Sequence, residues 1–308
     1  MSADRVVVVT RPTRLEELTD KYLTEGGAEF ELESRGGDIA PFRREHDTYV
    51  QSLETVLGHI PKDLPVTIVP RHDLPYFLFR PEDLVIVCGP DGLLVNTARF
   101  LGNQLVLGVN PDPSVNAGVL TSCPPERVRR ALTAGIAGDA YYRPLPFVKA
   151  VTDRGDTLWG LNEIFAGRLD HVSARYSIQY AGKTERHVSS GVIAATGVGC
   201  GGWIRSIVAM IEGLGSEGTR QDHLLMNLPA DTAREVVFAV REPFPSPDTG
   251  TSMVTGRLVG DAALELTCEM PEGGVILSDG LVDRAVEWAA GSAIIITCGE
   301  RTLRHIIA

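Results

Sequence analysis

The chain has 308 residues, enough for two domains of ordinary size. A hydrophobic share of 44% and a charged share of 22% are those of a globular protein, and apolar runs such as Val6–Val9 and Ala293–Ile296 fall far short of the ~18 residues that span a bilayer. With 29 Lys and Arg against 40 Asp and Glu, the net charge of −11 argues against a general binder of nucleic acid or anionic membrane, though backbone N–H groups can still hold phosphate locally.

The elements follow in chain order. Arg5–Thr10 carries four consecutive valines and reads as a buried strand. Thr13 is positioned to cap a helix through Leu15, Leu18, Tyr22 and Leu23, expected to stop at Gly26-Gly27. A second helix is expected over 45–57. Strands are expected at 65–69, 84–88 and 104–109, with helices at 93–101 and 125–136. This alternation predicts a parallel sheet covered by helices over residues 1–140. Ligands of such sheets bind beyond the carboxyl ends of the strands.

Past residue 140 the pattern changes. Short runs rich in Val, Ile, Thr and Tyr recur at 147–152, 171–180, 187–195, 235–241, 252–259, 264–269, 275–278 and 293–297. Turn signals such as Asp153-Arg154-Gly155-Asp156 and Ala181-Gly182-Lys183 separate them. One helix is expected after Gly202, with Trp203, Ile207, Met210 and Ile211 on one face. Surface loops are expected at 214–221 and 242–250. Residues 141–308 therefore read as a mostly β domain.

The five cysteines are odd in number and widely spaced, with no C-x-x-C, which predicts reduced thiols in a cytoplasmic protein. No segment reads as a secretory leader. The histidines form no H-E-x-x-H and no zinc-spaced cluster, so no protein-held metal site is expected.

Three segments could carry chemistry. Gly89-Pro90-Asp91-Gly92 follows a buried strand directly. Pro-Asp-Gly is a turn signal in its own right, with the aspartate capping the next helix. At the carboxyl edge of a sheet the same aspartate could instead meet a hydroxyl or a metal–phosphate complex. Asn162-Glu163 is either a polar turn between Trp159 and Phe165 or a recognition pair, an amide beside a carboxylate that accepts two hydroxyl protons. The third segment, Ser189–Ser206, runs strand, glycine loop, helix; Gly197, Gly199, Gly201 and Gly202 crowd the loop around Cys200. N–H groups at a helix start can cradle phosphate, and glycine equally allows close helix–strand packing, so both readings stay open. The loop fits neither G-x-x-x-x-G-K-[ST] nor a dinucleotide fingerprint. Trp203 reads as core before ligand-stacking surface. Arg11, just past the first strand, is a further candidate phosphate contact.

In this order and spacing the segments resemble the NAD kinase family. That family carries G-G-D-G-T, an Asn-Glu pair, and G-D-G followed by T-P-T-G-S-T-A-Y. Gly89-Pro90-Asp91-Gly92-Leu93 stands at the first, Asn162-Glu163 at the second, and Ser190-Gly191 with Thr196–Trp203 at the third. Leu107–Asn110 with Gly118–Thr121 is similar to the family's G-I-N…G-F-L-T stretch, and Ser278-Asp279-Gly280 to a second Asp-Gly turn. The resemblance covers residues 84–300. It implies an α/β domain with a parallel sheet followed by a mostly β domain.

It also implies an ATP-dependent kinase that phosphorylates a sugar hydroxyl of a nucleotide or dinucleotide such as NAD. Mg²⁺ would accompany ATP, and the assembly would be a homo-oligomer. Asp91 becomes the catalytic carboxylate. Gly89, Gly92, Leu93, Asn162, Glu163, Thr196, Gly199, Cys200, Gly201, Gly202 and Trp203 become the nucleotide-binding set. The chain departs from the pattern at Pro90, Leu93, Ser190, Gly197, Val198, Cys200 and Gly201. A pocket that has lost hydroxyls selects a different ligand. Another nucleotide or small sugar, and a non-catalytic nucleotide-binding protein, therefore stand beside NAD phosphorylation.

Overall fold

The computed structural model describes residues 2–214 and 227–308. From residue 215 on, the surface loop expected at 214–221 lies outside the described residues. The chain divides into two compact units, Met1–Pro144 with Leu303–Ala308, and Leu145–Thr302. The last six residues, which the sequence assigns to the second domain, thus lie with the first unit.

The first unit runs β1 (Arg5–Thr10), α1 (Arg14–Tyr22), α2 (Glu25–Ser34), α3 (Ala40–Gly58), β2 (Val66–Pro70), β3 (Asp83–Cys88), α4 (Asp91–Ala98), β4 (Leu105–Val109) and α5 (Val128–Ala137). Strands pair in the order β2-β1-β3-β4, all parallel. The valines of β1 are wholly buried, as β-branched side chains are in a sheet covered on both faces. Arg5 reaches across to Asp83 at the start of β3, Nη2 to Oδ2 at 2.6 Å, so the register is pinned by charge as well as packing.

Thr13 caps α1 as expected, with its hydroxyl accepting from Glu16 N–H and Glu16 accepting from Thr13 N–H. The helix stops earlier than the glycines. Leu23 turns left-handed at φ 66°, and Gly26-Gly27 lie inside α2. Thr24 explains this: its hydroxyl accepts from Gly27 N–H at 3.0 Å and starts a new helix, and a Cβ on Gly27 would lie 2.8 Å from Tyr22 O.

The second unit is almost all antiparallel sheet. Its elements are β5 (Tyr142–Thr152), β6 (Thr157–Gly160), β7 (Glu163–Arg168), β8 (Ala174–Tyr180), β9 (Lys183–Ser189), β10 (Val192–Ala195), α6 (Trp203–Leu214), β11 (Glu235–Val240), β12 (Thr255–Val259), β13 (Ala263–Cys268), β14 (Gly274–Ser278), β15 (Val286–Glu287) and β16 (Ala293–Ile306). One sheet has the order β12-β11-β10-β7-β14-β15; the other joins β6-β5-β16-β13-β8-β9. Apolar side chains of both sheets, among them Tyr176, Phe238, Leu266 and Ile276, fill one core with Trp288. A second cluster under α6 covers the other face of the six-stranded sheet through Phe165, Ile193, Ile204 and Val237. Met210 does not join it and is 49% exposed; Val208 takes part instead.

The run expected as one strand over 187–195 is two, in different sheets. Gly191, at φ 109°, breaks it, and the Phe165 ring fills the space a Cβ would need. The strand expected at 293–297 extends to Ile306. Its end belongs to the first unit, where Arg304 and His305 pair in parallel with Leu105 and Val106 of β4.

Candidate functional site

In the first unit the candidate residues begin where β3 ends. Cys88 is the last strand residue, and Asp91 opens α4 one turn later. Asp91 does not cap that helix. Its carboxylate reaches instead to residues 119–121. Oδ2 accepts from Val119 N–H at 2.8 Å, while Oδ1 accepts from Leu120 N–H at 3.0 Å, Thr121 N–H at 2.8 Å and the Thr121 hydroxyl at 2.9 Å. A carboxylate offers about four lone-pair positions, two per oxygen. Oδ1 is saturated, and Oδ2 keeps room for one more donor.

Residues around this turn explain the Gly108…Thr121 pattern. A Cβ on Gly108 would lie 2.2 Å from Leu120 O, so only glycine lets the turn approach β4. Gly118 turns at φ 63°. The Asn110 amide donates to Asn116 O at 2.8 Å and accepts from Asp112 N–H at 3.2 Å, tying down the connecting loop. Leu93 is interior and packs toward Gly89; Gly92 is exposed with open space above it.

Arg11, the candidate phosphate contact, is occupied. Its guanidinium pairs with Glu45 at 2.7 Å, donates to Pro12 O and lies over the Tyr49 ring. Nε is buried and has no hydrogen-bond partner among the described residues.

In the second unit the structure gathers Asn162, Glu163, Thr196, Gly199 and Cys200. Asn162 lies in the turn between β6 and β7, and Glu163 pairs with Ala195 across β7 and β10. The Thr196 hydroxyl donates to Leu161 O at 2.6 Å, and its N–H donates to Asn162 O at 2.9 Å. A Cβ on Gly199 would lie 2.0 Å from Asn162 O, so the glycine loop packs directly on this turn.

The loop's N–H groups face inward. Gly199 N–H donates to the Thr196 hydroxyl, Cys200 to Thr196 O, Gly201 to Val198 O and Gly202 to Gly199 O. The tight turn at 199–201 thereby removes four donors from the phosphate cradle the sequence allows. Close packing accounts for Gly199, whereas Gly201 and Gly202 are exposed. Cys200 is 2% exposed, and burial pushes its thiol up to about 12, so it stays protonated at neutral pH and is no nucleophile. Trp203 stacks on Phe165 at 5.4 Å, with the Arg241 guanidinium 4.9 Å from its ring.

Asp279 is the residue that sequence reasoning left without a role. Its carboxylate accepts from the N–H groups of Leu161 at 3.0 Å, Asn162 at 2.7 Å and Glu163 at 3.2 Å, and its own N–H returns to Glu163 O. The available signal was the Asp279-Gly280 dipeptide, both residues at positive φ. Glu163 itself is only 9% exposed. Burial, and then the Asp279 carboxylate, push its pKa up to about 7. It is therefore divided between donor and acceptor forms near neutrality.

Among the described residues no three His, Cys, Asp or Glu side chains gather as a metal site, and no helix is long and apolar enough to cross a membrane. No family profile and no curated protein matches the chain by sequence. Solved structures do. Yeast NADH kinase, complexed with NADH, matches with a TM-score of 0.58 at 13% identity, over 100% of this chain and 84% of its own. An NAD kinase from Archaeoglobus fulgidus, in complex with ATP, matches with a TM-score of 0.57 at 14% identity, over 98% of this chain and 93% of its own.

The fold is that of the NAD kinases. An α/β unit with a parallel sheet followed by a mostly β unit is the architecture the sequence resemblance implies. On this NAD kinase fold Asp91 stands just past the carboxyl end of β3, and Glu163, next to Asn162, opens β7.

Proposed function

We propose that the protein is an ATP-dependent phosphotransferase of NAD kinase type, moving a phosphoryl group to a sugar hydroxyl of a nucleotide. The observation that carries this reading is the likeness to two NAD(H) kinases over essentially the whole chain; the resemblance of the Asp91 and Asn162-Glu163 segments to the family's motifs supports it from the sequence. The neighbours' complexes, one with NADH and one with ATP, support a dinucleotide acceptor and ATP as donor.

Asp91 is the catalytic residue in this reading. The open position on Oδ2 accepts the acceptor's hydroxyl proton while four hydrogen bonds fix the carboxylate's direction. Phosphoryl transfer asks mainly for positioning and charge stabilisation, so a rigid acid that orients the hydroxyl is sufficient. Glu163, in its ionised form, accepts hydroxyl protons of the acceptor's sugar, and Asn162 offers an amide that both donates and accepts. Mg²⁺ carried on ATP phosphates would need only one or two protein carboxylates beside them. When bound, it supplies neutralisation of phosphate charge.

A second reading, an acceptor other than NAD, rests on Val198 and Cys200, which are buried and lack the hydroxyls that the family has at these positions. The test is incubation with ATP, Mg²⁺ and a panel of nucleotides and sugars, read by mass for the gain of one phosphate. Gain on NAD is the expected result; gain only on another nucleotide or sugar selects the other acceptor. Dinucleotide binding by calorimetry with no ATP consumption would replace the kinase with a nucleotide-binding protein.

A further inference from the structure

Residues 119–121 present two edges. Their N–H groups hold Asp91; two of their carbonyls, those of Val119 and Leu120, are held by side chains. Arg143, in β5, donates through Nη2 to Val119 O at 3.1 Å. His305, near the end of β16, lies 2.6 Å through Nε2 from Leu120 O. Arg143 Nε in turn donates to His305 Nδ1 at 3.1 Å.

This chain of contacts fixes the imidazole's state. Guanidinium nitrogen only donates, so Nδ1 must accept; a carbonyl only accepts, so Nε2 must carry the proton. His305 is 2% exposed, and its strand is registered on β4 while Ile306 enters the core of the first unit. The imidazole is thus a rigid strut. The same Leu120 carbonyl lies where a Cβ on Gly108 would fall, so the imidazole meets the turn at its contact with β4.

We propose that His305, assisted by Arg143, is a positioning residue for Asp91: it locks the carbonyl edge of residues 119–121, whose N–H edge aims the carboxylate. The kinetic part rests on the reading of Asp91 as the group that meets the acceptor hydroxyl; the mechanical part does not. His305 touches no reacting atom. Its loss lets the turn shift, and a small displacement of a positioned group lowers the rate without weakening substrate binding.

The test compares the wild type with His305→Phe, which removes both ring contacts, and His305→Gln, which keeps a donor toward Leu120 O. Three quantities are read: amide exchange at residues 119–121, kcat and KM with ATP, Mg²⁺ and the nucleotide that gains phosphate, and the ¹⁵N shifts of the wild-type imidazole. His305→Phe is expected to speed exchange at these amides about tenfold or more. Its kcat should fall about 10- to 100-fold with both KM values within about twofold, and His305→Gln should recover most of each loss. The wild-type ring should show the neutral Nε2–H form.

Unchanged exchange and unchanged kcat in His305→Phe would overturn the proposal. So would faster exchange with unchanged kcat in an enzyme that Asp91→Asn inactivates, or a wild-type ring protonated on Nδ1 at neutral pH. Should His305→Phe not fold, His305→Gln and the ring shifts decide. Should Asp91→Asn turn over like the wild type, the catalytic reading of Asp91 falls, and exchange alone decides whether His305 holds the turn.

Discussion

Asp91 in the first unit and Asp279 in the second each collect three consecutive backbone N–H groups, those of residues 119–121 and 161–163. Their settings differ. Asp91 begins a helix, and the turn it holds brings one hydroxyl, that of Thr121. Asp279 sits at φ 52°, and the turn it holds ends in another carboxylate, Glu163. In the first unit the anchor is itself the candidate acid. In the second the anchor is a support, and its charge acts on a neighbour by helping to raise Glu163 toward neutrality. The same backbone device thus aims the candidate catalytic carboxylate in one place and steadies the turn that leads into Glu163 in the other.

The largest effects should come from the glycines that let each turn close. Gly199→Ala and Gly108→Ala place a Cβ 2.0 Å and 2.2 Å from carbonyl oxygens, so backbone must move. Each should cost about 3 kcal/mol or more, whereas Gly201→Ala, with open space, should stay within about 0.5 kcal/mol. Urea midpoints check this; equal losses at all three would break the packing account of the loop.

Next come the anchors. Asp279→Asn and Asp91→Asn each put an amide N–H against backbone donors, at an expected cost of about 1–3 kcal/mol. Thermal unfolding should show both losses. Asp279→Asn should also bring the Glu163 pKa down toward its ordinary value, visible in its carboxyl ¹³C titration, because one of the two causes of the shift is gone. An unmoved Glu163 in that variant would separate the two carboxylates electrostatically.

A change of comparable size is expected in the pH dependence. Glu163 has a folded-state pKa raised from 4.5 to about 7. The folded chain binds its proton more tightly than the unfolded chain, so stability falls as pH rises through that window and levels off above it. The slope should amount to at most about 3 kcal/mol between pH 4.5 and 7. In Glu163→Gln it should vanish. Denaturation at a series of pH values reads it directly, and a slope that survives the substitution assigns it elsewhere.

Much of the architecture was legible because burial leaves a direct mark on sequence: the valines of β1, the apolar run at 84–88 and the capping Thr13 each specify their element locally. What the sequence hid depends on distant partners. Nothing near Gly191 announces that Phe165 will occupy its missing side chain and divide a strand between two sheets. Nothing near His305 announces Leu120, 185 residues away. The site was legible as dipeptides, Asp91-Gly92 and Asn162-Glu163, but not as mechanics. Asp279 acts on backbone N–H groups, which every residue offers, so its targets leave no sequence signature. The inward N–H groups of the glycine loop were hidden for the same reason, since glycine content permits a cradle and a tight turn equally.

The most direct measurement sets wild type and Asp91→Asn side by side with ATP, Mg²⁺ and the nucleotide panel, reading phosphate gain by mass and acceptor binding by calorimetry. The wild type should phosphorylate a nucleotide, and the variant should bind it with similar affinity yet transfer phosphate about a thousandfold more slowly or not at all. Equal transfer by both proteins, or no transfer by the wild type to any acceptor, would contradict the account.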